Sequence, residues 1–329
     1  MEINKINVDT QKSMKKRIIT GLIMAIVGIP CIVLGDWFFL ALVVFISIFA
    51  IWEAIKVTGK KYSWYIYLIM YIFTLSFVFW VFLRRTDPVN AGELSKYIDH
   101  HFLLYDIRIS TMGVGFLLAI LFTISIFNEN FETKDAFYLF SMSLFIGISL
   151  QSVLFLRYCP AAIAPEVFNN NNYFATCLLF LFVLGGTCLN DIFAYFVGVL
   201  FGKHKMNPRV SPKKTWEGFV GGIVLSSIIT SIFAIVCDVA FNTPLIAGYL
   251  DAEHWYYVIL TSILVSFSSV LGDLMFSLIK RSYNIKDFGN VFPGHGGVLD
   301  RFDSLLITSL LVAILISFIV YTPFMGVIN

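Results

Sequence analysis

The stretch WFFLALVVFISIFAIWEAIKV, Trp37 to Val57, decides the fold class. A helix needs roughly 20 predominantly apolar residues to cross a bilayer, and this stretch supplies them without a glycine or proline. Working outward, comparable apolar runs recur near residues 18–35, 63–83, 109–127, 136–156, 173–201, 218–240, 256–279 and 304–325. About nine transmembrane helices are therefore expected. The expected architecture is an all-α polytopic integral membrane protein, because an open sheet cannot satisfy its backbone in lipid.

Composition points the same way. The chain has 329 residues, of which 58% are hydrophobic and only 13% charged, and its mean hydropathy is +0.84. Soluble domains carry about 25% charged residues, so this chain cannot cover a water-facing surface of its size. Low charge with 17% aromatic residues also excludes disorder. A net charge of +2 implies no nucleic-acid partner. Cys31, Cys159, Cys177, Cys188 and Cys237 occur singly, without CxxC spacing, and read as small core hydrophobes. Residues 1–17 are polar, which argues against a cleaved signal peptide.

Lys and Arg favour the cytosolic side of a membrane. With a cytosolic N-terminus and alternating sides, all of the 23 basic residues except Arg84, Arg85, Lys96, Arg108 and Arg157 fall on that side. The C-terminus is then external. The chain divides into a cytosolic segment 1–17, N-terminal membrane helices 18–156, and a C-terminal membrane region 173–329 with cytosolic loops 202–217 and 280–302. In the first helices, acidic residues such as Asp87, Glu93 and Asp99 sit in links and read as solvated. In the C-terminal region, ionisable groups lie inside or beside apolar segments, where they are costly and functional by default.

Four constellations carry chemistry. Asp191, late in the sixth span, must face a polar cavity, a cation or a metal, or else bond a neighbouring helix. Asp273 follows Gly272 in the eighth span and poses the same choice. The loop after the sixth span carries Lys203, Lys205, Arg209, Lys213 and Lys214 in a short stretch. That density suits a polyanion or anionic headgroups. Its order, with Ser211-Pro212 before the lysines and Thr215, Glu217 and Gly218 after them, favours a specific site. The densest segment, residues 277–303, combines Lys280, Arg281, Gly294, His295, Gly296, Gly297, Asp300, Arg301 and Asp303. Its glycines permit positive φ and close approach to a ligand, and such a turn can cradle phosphate oxygens. Asp300 and Asp303 share a helix face at i and i+3. They call for a cation between them: a hard divalent metal such as Mg²⁺, or Arg301 or Lys280 in its place. His295 is either a phosphate contact or a residue that fixes the turn. These loops share the cytosolic side. Together they suit phosphoryl or nucleotidyl transfer, which rests on positioning and charge neutralisation. No GxxxxGK[ST], kinase-like loop or GxSxG elbow is present.

The segment from Ser277 to Asp303 resembles the signature of the phosphatidate cytidylyltransferases, or CDP-diacylglycerol synthases. It meets every specified position of S-x-[apolar]-K-R-x4-K-D-x-[small]-x2-[apolar]-[P/G]-x-H-G-G-[apolar]-x-D-R-[apolar]-D. Residues 211–218 resemble a second family motif, and Asp191 with Ala194, Tyr195 and Gly198 a third. The resemblance covers about residues 185–305. Family members often have Glu before the signature Ser, where this chain has Phe276. They often have small or polar residues after the first Asp, where it has Ile192 and Phe193.

The resemblance implies the reaction of CTP with phosphatidate, giving CDP-diacylglycerol and pyrophosphate. By position, Asp273, Asp300 and Asp303 would hold Mg²⁺, with a second cation possible. Asp191 would line the same cavity. Lys213, Lys214, Lys280, Arg281 and Arg301 would neutralise phosphate charge, and Ser211, Thr215, His295, Gly296 and Gly297 would contact phosphate or base. It further implies a homodimer in a membrane, and the modest length and short loops favour a bacterial inner membrane over an organelle membrane. Two other readings stay open at this point. One is a CTP-dependent kinase of a polyprenol or other lipid alcohol; the other is an ion-coupled transporter using Asp191 and Asp273.

Overall fold

The computed structural model describes residues 8–85, 102–163 and 173–321. Lys5, Asp87, Glu93, Lys96 and Asp99 lie outside them. The described residues form α1 (Val8–Leu34), α2 (Asp36–Lys56), α3 (Trp64–Arg85), α4 (Phe102–Phe127), α5 (Thr133–Ile163), α6 (Tyr173–Phe201), β1 (Lys205–Asn207), β2 (Ser211–Thr215), α7 (Trp216–Phe241), α8 (Trp255–Ser282) and α9 (Leu299–Tyr321). Seven helices among the described residues are long and apolar enough to cross a membrane. Ile18–Leu34 of α1 and Gly113–Phe127 of α4 are shorter apolar stretches. The protein is an all-α polytopic membrane protein.

Several boundaries depart from the expectation for physical reasons. α1 starts at Val8, inside the polar segment, because extending an existing helix gains a backbone bond per residue without a new nucleus. α5 runs on past Arg157 to Ile163. Arg157, just past the expected end of this span, is buried, and it donates to Ile32 O at 3.1 Å, Val33 O at 3.3 Å and Thr176 Oγ1 at 2.7 Å. It thus satisfies carbonyls left over at the end of α1. α9 starts at Leu299, which brings Asp300 and Asp303 into its first turns. The loop expected over 202–217 contains a small antiparallel hairpin, with Lys205 opposite Thr215 and Asn207 opposite Ser211. Outside the apolar spans, this backbone pairs with itself.

Small residues set how the helices meet. Lipid gives helices little hydrophobic reason to associate, so close backbone approach matters. Gly218 and Gly222, one turn apart on α7, face Ala194 of α6. A Cβ on Gly218 would lie 2.6 Å from Ala194 O, and one on Gly222 would lie 2.9 Å from Ala194 Cβ. Gly272 plays the same part between α8 and α9, where a Cβ would lie 2.7 Å from Asp303 O. α5 packs against α2, α3, α6 and α9, so the N-terminal and C-terminal helices share one core.

This packing makes a direct prediction. Gly218→Ala should lower the thermal unfolding midpoint in detergent, with overpacking costing about 1–3 kcal/mol. Gly28→Ala, where an added Cβ meets nothing within 4 Å, should leave the midpoint unchanged or raise it. Equal midpoints for the two variants would refute the α6–α7 contact.

Candidate active site

Three carboxylates from three helices converge. Asp191 comes from α6, Asp273 from α8 and Asp303 from α9. Asp191 lies within electrostatic reach of Asp273 and Lys214, and Asp303 within reach of Asp273, Asp191 and Lys280. The glycine contacts account for this meeting. Gly272 lets α9 touch α8 at Asp303, one residue from Asp273. The close α6–α7 contact brings β2, which leads into α7, beside Asp191. Lys214 of β2 pairs with the Oδ2 of Asp273. Asp303 is 7% exposed, and one of its oxygens accepts the Ser304 N–H at 2.7 Å.

Asp300 has different neighbours from Asp303. Its Oδ1 accepts from Lys280 Nζ at 2.9 Å, and its Oδ2 accepts from Phe288 N at 2.8 Å and Gly297 N at 2.9 Å. Both partners of the ion pair are largely buried. Asp300 therefore ties the glycine-rich loop to α8 and α9. Lys280 sits between the two aspartates, bonded to one and near the other. Its ammonium also lies 5.5 Å over the Phe288 ring.

The loop itself is a tight turn. Phe292 N donates to Gly296 O at 3.0 Å and His295 N to Phe292 O at 2.9 Å. Gly294 and Gly296 take φ of 79° and 87°, a region that side chains other than glycine rarely adopt. Gly297 has another reason to be glycine: a Cβ there would run into the carboxylate of Glu53. Arg301 donates Nε to His295 O at 2.7 Å, and Arg281 donates Nη1 to Ile285 O at 3.2 Å. Both arginines are otherwise exposed. On the hairpin, Lys213 is exposed and Ser211 half-buried. Thr215 is taken up structurally, since its hydroxyl accepts the Gly218 N–H at 3.2 Å as the N-cap of α7. Such a cap is worth about 1 kcal/mol.

The donors that converge are oxygens, which suits a hard divalent cation. Among the described residues, no three carboxylates, histidines or thiols are drawn together closely enough to hold an ion unaided. Asp273 and Asp303, with Asp191 beside them, could contribute one or two ligands each, leaving positions for phosphate oxygens. Mg²⁺ binds in that manner.

A cytidylyltransferase family model matches residues 15–319, nearly the whole chain and all three converging helices. The chain belongs to the cytidylyltransferase family. It is 30% identical to the phosphatidate cytidylyltransferase of Bacillus subtilis over 89% of this chain and 94% of that protein. It is 31% identical to that of Haemophilus influenzae, with the same coverage. A Staphylococcus saprophyticus phosphatidate cytidylyltransferase is 44% identical over 42% of this chain and 48% of its own length.

Phe276, Ile192 and Phe193 are the three positions of this cytidylyltransferase-family chain at which the signature resemblance breaks off. Phe276 is buried and packs edge-on against Phe288, with centroids 5.7 Å apart. It supports the ring beneath Lys280. Ile192 is exposed on the outer face of α6. Sequence reasoning missed Glu53, although the rule that singles out Asp191 and Asp273 applies to it equally. Nor does the sequence show that the first span reaches the loop, where Thr20 of α1 donates its hydroxyl to Pro293 O at 3.0 Å.

The two kinds of aspartate should separate by experiment. Asp300→Ala leaves Lys280 buried without its partner, a loss of about 3–5 kcal/mol. Asp273→Ala removes a pair whose side chains are 30% and 28% exposed, so it should cost far less stability. Thermal unfolding of both variants checks this, and an Asp300→Ala midpoint at or above that of Asp273→Ala would contradict the assignment.

Proposed function

We propose that this protein is a phosphatidate cytidylyltransferase, which joins CTP and phosphatidate to give CDP-diacylglycerol and pyrophosphate. One observation carries the reading. Asp273, just before the family's signature segment, and Asp303, at its end, lie within electrostatic reach of each other and of Asp191, with Lys214 paired to Asp273 and Lys280 near Asp303. A phosphate oxygen of phosphatidate attacks the α-phosphorus of CTP. The bond between the α-phosphorus and the bridging oxygen to the β-phosphate breaks, and pyrophosphate leaves. A phosphate monoester is a competent nucleophile at neutral pH, so no residue is assigned as a general base.

Both reactants are anions, and their repulsion grows as the dielectric falls. Lys214 on the hairpin and the buried Lys280 at the end of α8 counter that charge, and the exposed Lys213, Arg281 and Arg301 do so from the rim. Asp273 and Asp303 would hold Mg²⁺, with Asp191 lining the same place. Held there, Mg²⁺ would supply positive charge to offset the phosphate charge of the two reactants. A second cation belongs to the same reading, and Asp191 would help to hold it. The His295 and Gly297 N–H groups of the turn are already taken up by Phe292 O and Asp300 Oδ2, and the side chains of Ser211 and His295 would meet phosphate or base. The site faces the cytosol, the source of CTP, and the membrane is the inner membrane of a bacterium, as the bacterial relatives favour. A homodimer completes this reading, and cross-linking in native membranes tests it.

The test is pyrophosphate release by the purified protein in phosphatidate-containing liposomes with CTP and Mg²⁺. Asp303→Asn and Asp273→Asn should each lower turnover at least about 100-fold, as expected when preorganised charge at the reacting centre is lost. Lys214→Gln should lower it less. Wild-type turnover in either aspartate variant would defeat the assignment of these carboxylates.

A further inference from the structure

Glu53 lies on α2, among the N-terminal helices, far in sequence from the residues that carry the chemistry. It is 0% exposed. Its Oε1 accepts the Val298 N–H and its Oε2 the Leu299 N–H, each at 2.9 Å. These are donors at the start of α9, where a helix leaves its first N–H groups unpaired and favours negative charge. The same carboxylate fills the space where a Cβ of Gly289 or Gly297 would stand. The glycine-rich loop is thus folded around a side chain from the other half of the protein.

The consequences reach the reacting groups. Asp300 and Asp303 follow Leu299 within the first turns of α9. Gly297, one residue before the Glu53 bonds, gives its N–H to Asp300. Any shift of the α9 terminus moves both aspartates, and Lys280 with them. We infer that Glu53 is a positioning residue for the transfer reaction, anchoring the signature loop and the start of α9 to α2. It touches no substrate itself. This inference rests on the cytidylyltransferase reading and extends it to a residue outside the signature.

Two measurements on the full-length protein in liposomes test it. The first is turnover per folded molecule, with CTP and phosphatidate varied. Glu53→Ala should lower kcat about 100-fold, the effect of a misplacement on the order of 1 Å. Glu53→Gln, which keeps one acceptor oxygen, should recover part of that loss. Glu53→Asp, which draws the carboxylate back by one methylene, should be impaired as well. A residue that served only to hold the fold would lower the folded fraction and leave kcat per folded molecule and KM unchanged. The second is a thermal cycle. Gly289→Ala should destabilise the wild-type protein and cost much less in the Glu53→Ala background, where its Cβ meets no carboxylate. If Glu53→Ala does not fold, the cycle is run with Glu53→Asp. Wild-type kcat in Glu53→Ala or Glu53→Asp, or strictly additive midpoints in the cycle, would overturn the inference. An active wild type with unimpaired Glu53 variants overturns this inference alone, whereas an inactive wild type overturns the functional reading and this inference together.

Discussion

Charge placed inside a membrane bundle must be compensated, and the rest of the structure follows from how this chain does it. An unpaired buried ion costs several kcal/mol. Glu53 is matched by two backbone N–H groups, Arg157 by two carbonyls and a hydroxyl, and Asp300 by Lys280 and two N–H groups. These charges are saturated, and each one ties distant segments together. The cluster of Asp191, Asp273 and Asp303 is different. Three carboxylates share Lys214 and the neighbouring Lys280. Only Asp303 of the three is buried, with Asp273 half-buried and Asp191 exposed, and carboxylates outnumber the cations beside them. Such a site favours cations that arrive with a substrate.

The saturated charges also explain why the two halves of the protein cannot be treated apart. α2 holds the α9 terminus through Glu53, and α1 reaches the signature loop through Thr20. The N-terminal helices build the floor on which the loop rests. Small residues complete this arrangement by letting α7 approach α6 and α9 approach α8 closely enough for the aspartates to meet.

Much of this was legible in the sequence, for reasons that can be stated. Apolar runs long enough to span a bilayer announce an all-α membrane protein whatever their detailed packing. Asp191 and Asp273 stand out because charge in such runs is costly, and the structure brings them together with Asp303. The division of labour between Asp300 and Asp303 was not legible. Helical periodicity puts them on one face, but neighbours from α8 and the loop decide what each one touches. Thr215 reads equally well as a phosphate contact or a helix cap until the start of α7 is known. Glu53 escaped notice because its partners are the backbone N–H groups of Val298 and Leu299, and backbone donors leave no trace in residue identity. Gly297 was read as making room for a ligand, whereas the group it makes room for is that same carboxylate.

Transfer of a cytidylyl group to a lipid phosphate at this cluster is tested most directly by following the cytidine. The purified protein is supplied with CTP labelled in the cytosine ring, phosphatidate vesicles and Mg²⁺, and the lipid phase is then extracted. Label should enter the lipid phase in a one-to-one ratio with released pyrophosphate, and Asp303→Asn should lower both at least about 100-fold. Label that stays wholly in the aqueous phase while CDP accumulates would mean transfer of the γ-phosphate, and would contradict cytidylyl transfer.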